Sequence, residues 1–253
     1  MSGFGALLRK ELRETLKTWR TWVLGGVLVF SGISSPAMAA ALPYILEWSE
    51  RQGSGISISV PEPTARDACV QFVSNLQQLA LLTVIVTAAG LVSSELRSGS
   101  AALTLAKPIS RAAFVVGKLS AYLLHLLAAT VLGTALCVGA TAILFGAAPL
   151  GDLLQAVTLW LAYALLLTCF IVLLSCTLRS QLGVAALGIA AFIALSALSL
   201  LQPLAQTPVG MADAVTAAMA GTAFSATWPL VTSATLALVL LATALLVFQR
   251  KEI

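Results

Sequence analysis

The stretch that decides the fold reads LLQAVTLWLAYALLLTCFIVLLSCTLRSQLGVAALGIAAFIALSALSLL, from Leu153 to Leu201. Arg179 is its single charged residue, and it divides the stretch into the apolar runs 153–178 and 182–201. About 20 apolar residues are enough to cross a bilayer as a helix. Backbone groups in hydrocarbon must be hydrogen-bonded within the segment, so both runs are predicted to be membrane-spanning helices joined by a tight turn.

Four further apolar runs lie on either side of this pair, which gives six predicted spans. No short segment has the period-two alternation of a barrel strand. We therefore predict an all-α membrane protein with a single transmembrane domain over residues 1–253. The six spans are Trp22–Leu46, Phe72–Val92, Leu119–Phe145, Leu153–Leu178, Leu182–Leu201 and Pro229–Phe248.

The composition excludes several classes of soluble protein. Of 253 residues, 59% are apolar and 9% are charged, against roughly 45–50% and 25% in soluble domains. A soluble globule of this size cannot hide so much apolar surface from water. This composition excludes an ordinary soluble enzyme and a disordered chain. The net charge of only +4 does not indicate a nucleic-acid binder.

The basic residues predict the orientation of the spans. With the N-terminus in the cytoplasm, only Arg51 and Arg66 of the 14 basic residues fall outside. This asymmetry follows the positive-inside rule and predicts that both termini are cytoplasmic. The remaining twelve fall inside: Arg9, Lys10, Arg13, Lys17, Arg20, Arg97, Lys107, Arg111, Lys118, Arg179, Arg250 and Lys251.

Two segments outside the spans are predicted to form further helices. Residues 3–20 place apolar and charged side chains on opposite faces, as in an interfacial elbow helix. Glu11 falls inside the apolar arc, where a carboxylate is costly without a partner. Two interpretations stay open: the side chain reaches water, or it pairs with a cytoplasmic loop or another protein. The apolar outer segment 203–227 is expected to contain a short helix that dips into the membrane.

The longest cytoplasmic connection, between the second and third spans, is the most specific feature. Residues 95–105 are predicted to form a short amphipathic helix with Ala102, Leu103 and Leu105 as its apolar contacts. Such a helix suits docking into a groove on a soluble partner. The alternative is a plain solvated loop. Lys107-Pro108 ends this helix, and Ser110 caps the next one. The candidate coupling residues are Glu95, Arg97, Gly99, Ala102, Leu103, Leu105, Pro108 and Arg111.

Catalytic and metal motifs are missing from the sequence. A single histidine excludes the H-E-x-x-H zinc motif, and Ala112 stands where a Walker A loop ending at Gly117-Lys118 would need glycine. No acidic residue lies deep in a span, which argues against a proton relay. We therefore expect a non-catalytic chain that holds no metal and no cofactor.

The connection between the second and third spans also carries a family resemblance. It contains Glu95, Gly99-Ser100, a Leu-rich stretch, Pro108-x-Ser110-Arg111 and Gly117-Lys118, while Arg9-Lys10-Glu11-Leu12 opens the chain and a basic tail closes it. In these motifs the chain resembles the ABC-2-type permeases, the membrane subunits of ATP-binding-cassette exporters. Ser100 stands where threonine is more usual, and the hydroxyl is kept.

The resemblance implies a concrete architecture and set of partners. It implies an elbow helix at 3–20, a coupling helix at 95–105 and contact of Glu11 with the inner loop or the ATPase. Two permeases, identical or related, would pair with two ATPase subunits that bind ATP and magnesium. In related exporters the second and fifth spans line the central path. Candidate path residues are Gln71, Asn75, Gln78, Ser196 and Ser199, whose alternative role is hydrogen bonding between helices.

The predicted function is that of an exporter permease in a bacterial or archaeal plasma membrane. Amides and hydroxyls in an apolar path suggest a hydrophobic or amphipathic substrate, whose identity the sequence does not define. Two alternatives stay open: a mechanical or signalling subunit of an ABC-like complex, and a stand-alone channel or carrier.

Overall fold

The computed structural model describes residues 2–51, 62–100, 110–199, 204–222 and 224–251, and every regular element within these ranges is helical. The first half contains α1 (Ser2–Lys17), α2 (Trp19–Arg51), α3 (Ala65–Asn75), a π-helical segment (Leu76–Ala80), α4 (Leu81–Ala88) and α5 (Ser93–Ser98). The second half contains α6 (Arg111–Phe145), α7 (Leu150–Thr177), α8 (Gln181–Leu198), a 3₁₀ turn (Pro208–Gly210), α9 (Met211–Ala220) and α10 (Thr227–Arg250).

Among the described residues, six helical segments are long and apolar enough to cross a membrane, which confirms the predicted fold class. They are Trp19–Trp48, Ala65–Ser98, Arg111–Phe145, Leu150–Thr177, Gln181–Leu198 and Thr227–Arg250. The fourth of these, α7, has the largest buried share, 61% of its most apolar window. It packs against α3, α4, α6, α8, α9 and α10 and is therefore the central scaffold of the bundle.

A separate amphipathic helix precedes the first span, as predicted, but α1 ends at Lys17 rather than at residue 20. The Thr18 hydroxyl donates to the Thr15 carbonyl at 2.8 Å, which satisfies an acceptor that the end of the helix leaves open. The buried Leu7 of α1 packs on Gly117 of α6. A Cβ at Gly117 would lie only 3.0 Å from Leu7 Cδ2, so this glycine permits the close approach of the two helices.

The second span is not one regular helix. Its π-helical segment follows α3 without a break, and the Trp160 indole N–H of α7 donates to the Leu76 carbonyl at 2.9 Å. The chain then turns through residues 89–92 before α5 begins. At this turn the buried Ser175 hydroxyl of α7 accepts from the backbone N–H groups of Val92 and Ser93, at 3.1 and 2.8 Å. A neighbouring helix thus satisfies backbone groups at both irregularities.

The predicted continuous coupling helix over residues 95–105 is wrong in its described part. The helix α5 begins earlier, at Ser93, and ends at Ser98. Gly99 adopts φ +74°, a left-handed conformation that ends helices and favours glycine because it has no Cβ. The predicted coupling residues Ala102, Leu103, Leu105 and Pro108 lie outside the described residues. The cap at the other end is present, since the Ser110 hydroxyl accepts from the Ala113 N–H at 3.1 Å.

The segment 203–227, which is predicted to be outer, contains a short helix, and its position relative to the membrane stays a prediction. Its helix α9 buries Met211, Ala214, Val215 and Met219, mainly against α7 and α3. Arg66 of α3 holds the far end of α9, because its guanidinium donates to the Met219 carbonyl at 3.1 Å. The same guanidinium pairs with Asp152 of α7 at 2.5 Å.

We predict that the Ser175→Ala substitution destabilises the bundle at the turn in the second span. Two buried backbone N–H groups would lose their acceptor, at a cost of about 1–3 kcal/mol in the free energy of unfolding. Denaturant titration in mixed micelles measures this difference. The matched control is Thr158→Ala, because the exposed Thr158 hydroxyl bonds only within its own helix, to the Leu154 carbonyl. Equal stability of the two variants would contradict the assigned role of Ser175.

Candidate functional site

The candidate site lies at the end of the bundle where α1, α5, the start of α6 and the end of α10 meet. We call this the basic end. The residues that join these elements are Glu11, Glu95, Lys118, Arg111 and Lys251. Arg66, Asp152 and α9 lie at the opposite end.

A buried ion triad is the centre of the basic end. The Lys118 ammonium of α6 lies 2.8 Å from Glu11 Oε2 of α1, and it also pairs with Glu95 Oε1 of α5. The Lys118 and Glu11 side chains are 6% and 5% exposed, and the Glu95 side chain is 19% exposed. Three elements that are distant in sequence therefore meet at one charge. Because buried charges are costly when unpaired, each of these groups needs the others.

Aromatic packing shields the triad. The Lys118 ammonium lies 5.0 Å from the centre of the Phe114 ring, a distance that gives a cation–π attraction. That ring stacks on Phe248 of α10, with centroids 5.6 Å apart and planes 9° from parallel. The last span is thereby packed against α6, one helical turn before Lys118.

A second lysine balances the excess negative charge. Lys10 Nζ lies 3.7 Å from Glu11 Oε1 and 3.2 Å from Glu14 Oε1. Burial opposes the charged form of Lys10, but the hydrogen bond to Glu14 and the charges of Glu11 and Glu95 outweigh this effect and raise its pKa. Oxygens of Glu11, Glu14 and Glu95 are close enough together to surround a metal ion. The Lys118 ammonium already binds two of these carboxylates and provides the positive charge that a metal ion would supply.

A small cavity of about 190 Å³ adjoins the triad. Arg20, at the start of α2, lines it and donates to the Ser94 hydroxyl of α5 at 3.4 Å. Tyr122 of α6 lies beside it and donates to the Val84 carbonyl of α4 at 3.1 Å. The start of α2 and the α4 and α5 parts of the second span are therefore joined to the same cluster.

The predicted coupling residue Arg111 contacts the C-terminal segment. Its guanidinium donates to the Gln249 carbonyl at 2.9 Å and to the Lys251 carbonyl at 2.6 Å, which caps α10. Lys251 in turn donates to the Cys176 and Thr177 carbonyls at 2.7 and 3.0 Å, which caps α7. Cations at helix C-termini are favourable because they bind carbonyls that have no partner within the helix. Partial burial lowers the pKa of Lys251.

The structure distributes the other predicted coupling residues differently. Glu95 belongs to the triad, Arg97 is exposed in the last turn of α5, and Gly99 ends that helix. Glu11 pairs within the chain, so the interpretation as an ion pair holds. Lys118 was not predicted as its partner, although a glutamate on an apolar face indicated that a buried cation was needed.

The structure also divides the candidate path residues. Asn75 donates to the Ser35 hydroxyl of α2 at 3.0 Å, and Gln71 donates to Asn75 at 3.5 Å. Gln78 and Ser196 instead line a cavity together on another side of the second span. Ser199 lies outside that lining and donates to the Ser196 carbonyl at 2.9 Å. The π-helical segment begins directly after Asn75 and contains Gln78. It changes the rotation per residue, so the single face expected for a regular helix is not maintained.

Six spans, a separate amphipathic N-terminal helix and a charged basic end define a multi-pass helical membrane protein. The chain belongs to the family described as "ABC-2 family transporter protein", which it matches over residues 5–253. It is also similar to an uncharacterized transmembrane protein, YxlG of Bacillus subtilis, with 27% identity over 113 residues. That alignment covers 45% of this chain and 44% of the relative, so the chain matches less than half of the relative's length.

We predict that Lys118→Met strongly destabilises the basic end. It would remove the buried partner of the Glu11 carboxylate and leave only the half-exposed Lys10 ammonium, 3.7 Å away, which costs up to about 3–5 kcal/mol. The double variant Glu11→Gln with Lys118→Met should recover part of this loss, because no uncompensated charge remains at Glu11. Thermal unfolding of the purified chain in detergent measures the order of stabilities.

Lys17→Met is the matched control for this experiment. Lys17 is exposed on α1 and forms no ion pair with the described part of the chain, and substitutions at such surface positions change the free energy of unfolding by about 0.5 kcal/mol or less. If Lys118→Met were no less stable than Lys17→Met, the triad would not be the constraint that the geometry indicates.

Proposed function

We propose that this chain is the permease subunit of an ATP-driven exporter that moves a hydrophobic or amphipathic substrate. A separate ATPase chain binds ATP and magnesium and supplies the energy. The observation that carries the proposal is the Glu11–Lys118–Glu95 triad, which fixes both flanks of the 99–109 connection to the bundle. Membership of the ABC-2 family supports a transport role.

The basic end can transmit a displacement of this connection into the bundle. On its N-terminal flank, Glu95 ties α5 to α6 and α1 through Lys118. On its C-terminal flank, Arg111 ties the start of α6 to the end of α10. A push from an ATPase on residues 99–109 would therefore reach several helices at once rather than bend a loose loop.

The turn at residues 89–92 gives the second span a joint. After the turn, α5 is held by the triad. Before the turn lie α4 and the π-helical segment, which contains Gln78. Arg20 packs closely against Gly90 at this turn. In the proposed mechanism, α5 moves with the basic end while the part of the span that carries Gln78 pivots at the turn.

The proposed orientation places the basic end in the cytoplasm of a bacterial or archaeal cell, with both termini inside. Support comes from the charge distribution, with twelve basic residues on that side and two on the other. Two copies, or two related permeases, would form the path together with two ATPase subunits.

The first experiment is purification of the tagged chain from its native membrane in mild detergent, followed by mass spectrometry. We expect a soluble ATP-binding-cassette ATPase in near-stoichiometric amount. A chain that purifies alone, under conditions that preserve other ABC complexes, would contradict the proposal and favour a stand-alone channel or carrier.

We predict that Leu103→Asp weakens the association with the ATPase without preventing membrane insertion. A buried anchor residue at a docking surface contributes about 2 kcal/mol or more, which corresponds to roughly 30-fold in affinity. Recovery of the ATPase in the same purification measures the effect, and membrane abundance of the permease measures insertion. Ser98→Asp, at an exposed position of α5, adds the same charge nearby and is the control. Unchanged ATPase recovery with Leu103→Asp would exclude Leu103 from the docking surface.

A further inference from the structure

A cavity of about 240 Å³ lies between the second span, α7, α8 and α9. It is distinct from the cavity at the basic end, and its wall comes from four different elements. The lining combines amides and hydroxyls with a few apolar groups. Its residues are Ser74, Gln77, Gln78, Leu81, Tyr163, Phe192, Ser196, Ala212 and Thr216.

The irregular part of the second span builds one wall of this cavity. Gln77 and Gln78 both belong to the π-helical segment, a type of irregularity that is often found at functional sites. Trp160, one helical turn from Tyr163 on α7, supports the segment through its bond to the Leu76 carbonyl. The π segment is therefore a supported feature of the fold, and it places two adjacent amides beside one cavity.

The hydrogen bonds within the wall leave mainly acceptors for a ligand, together with the donors of the Tyr163 hydroxyl and the Gln78 amide. The Ser74, Ser196 and Thr216 hydroxyls each donate to a carbonyl of their own helix, so their remaining capacity is as acceptors. Gln77 uses its NH₂ group on α9, donating to the Ala212 carbonyl at 3.2 Å and to the Thr216 hydroxyl at 3.1 Å. Its amide oxygen is the acceptor that remains.

The lining also defines the charge of a suitable ligand. None of the lining residues is charged. A charged group placed among membrane helices without a counter-charge loses its hydration without compensation. A volume of 240 Å³ is below the roughly 300–1,000 Å³ of pockets that enclose a whole drug-sized molecule. The cavity therefore suits one neutral part of a larger molecule.

We propose that this cavity binds the uncharged head group of an amphipathic substrate, one that carries O–H or N–H donors such as the hydroxyls of a sugar or polyol. The acceptors of Ser74, Gln77, Ser196 and Thr216 receive its hydrogen bonds, and the Gln78 amide contributes both donor and acceptor. The apolar tail extends along the membrane-facing side of the bundle. This inference names the substrate class and rests on the proposed transport function.

The test measures binding directly, with the complex as purified from its membrane and reconstituted in lipid nanodiscs. The probe is tritiated octyl glucoside below its micellar concentration, and empty nanodiscs give the background. We expect saturable binding to the native complex, and binding about tenfold weaker with Gln78→Leu and with Ser196→Ala. Unlabelled octyl glucoside should displace the label, whereas octanoate and octylammonium should not.

Gln155→Leu is the matched control. It makes the same substitution at an exposed position of α7, and Gln155 lies outside the cavity lining, so we expect native binding. Gln78 is exposed and no hydrogen bond of its side chain is found in the described part of the chain, so we expect Gln78→Leu to fold as the native chain does. Thermal unfolding checks this, and Ser196→Ala gives a second, conservative variant.

Three outcomes would overturn the inference. They are binding no greater than that of empty nanodiscs, native binding by both cavity variants, and displacement by octylammonium at least as strong as by octyl glucoside. The readout needs neither ATP nor the ATPase. Binding by a chain that purifies without an ATPase would contradict the proposed function alone, and a complete complex without binding would contradict the cavity assignment alone.

Discussion

The rest of the basic end depends on one constraint, the pairing of the Lys118 ammonium out of water. An ammonium at 6% exposure cannot be left without anionic partners, and here those partners come from α1 and α5. Their positions are thereby fixed relative to α6, and the Phe114–Phe248 stack adds α10. Hydrophobic packing alone would let these helices slide, because lipid tails are as apolar as the side chains that face them. The charges set a definite register on both sides of the connection between α5 and α6.

The structure places its irregularities where neighbouring side chains can satisfy them. The second span departs from a regular helix twice, and α7 supplies a hydrogen-bonding group at each place, Trp160 at the π segment and Ser175 at the turn. Because the backbone in a membrane has no water to replace lost bonds, such departures exist only beside such donors and acceptors. The most buried span, α7, thus also stabilises the two irregular parts of the second span.

The sequence predicted the six spans and the separate N-terminal helix, because apolar length and amphipathic period are local properties. It also predicted the unusual position of Glu11. It did not predict the partner, since Lys118 follows the pattern of an ordinary interfacial anchor and only tertiary packing buries it. Gly99 was included in a helix because a glycine within an apolar pattern gives no local sign of a positive φ. The π segment was missed for a similar reason, and with it the separation of Gln78 from Asn75.

The two ends of the bundle are fastened by ion pairs of different kinds. At the basic end the Glu11–Lys118 pair is buried, whereas the Arg66–Asp152 pair that secures α9 is 45% and 34% exposed. Dissolved salt screens exposed charges within about 8–10 Å at physiological ionic strength and affects buried ones far less. Added salt therefore weakens the ion pair that holds α9 more than it weakens the buried Glu11–Lys118 pair.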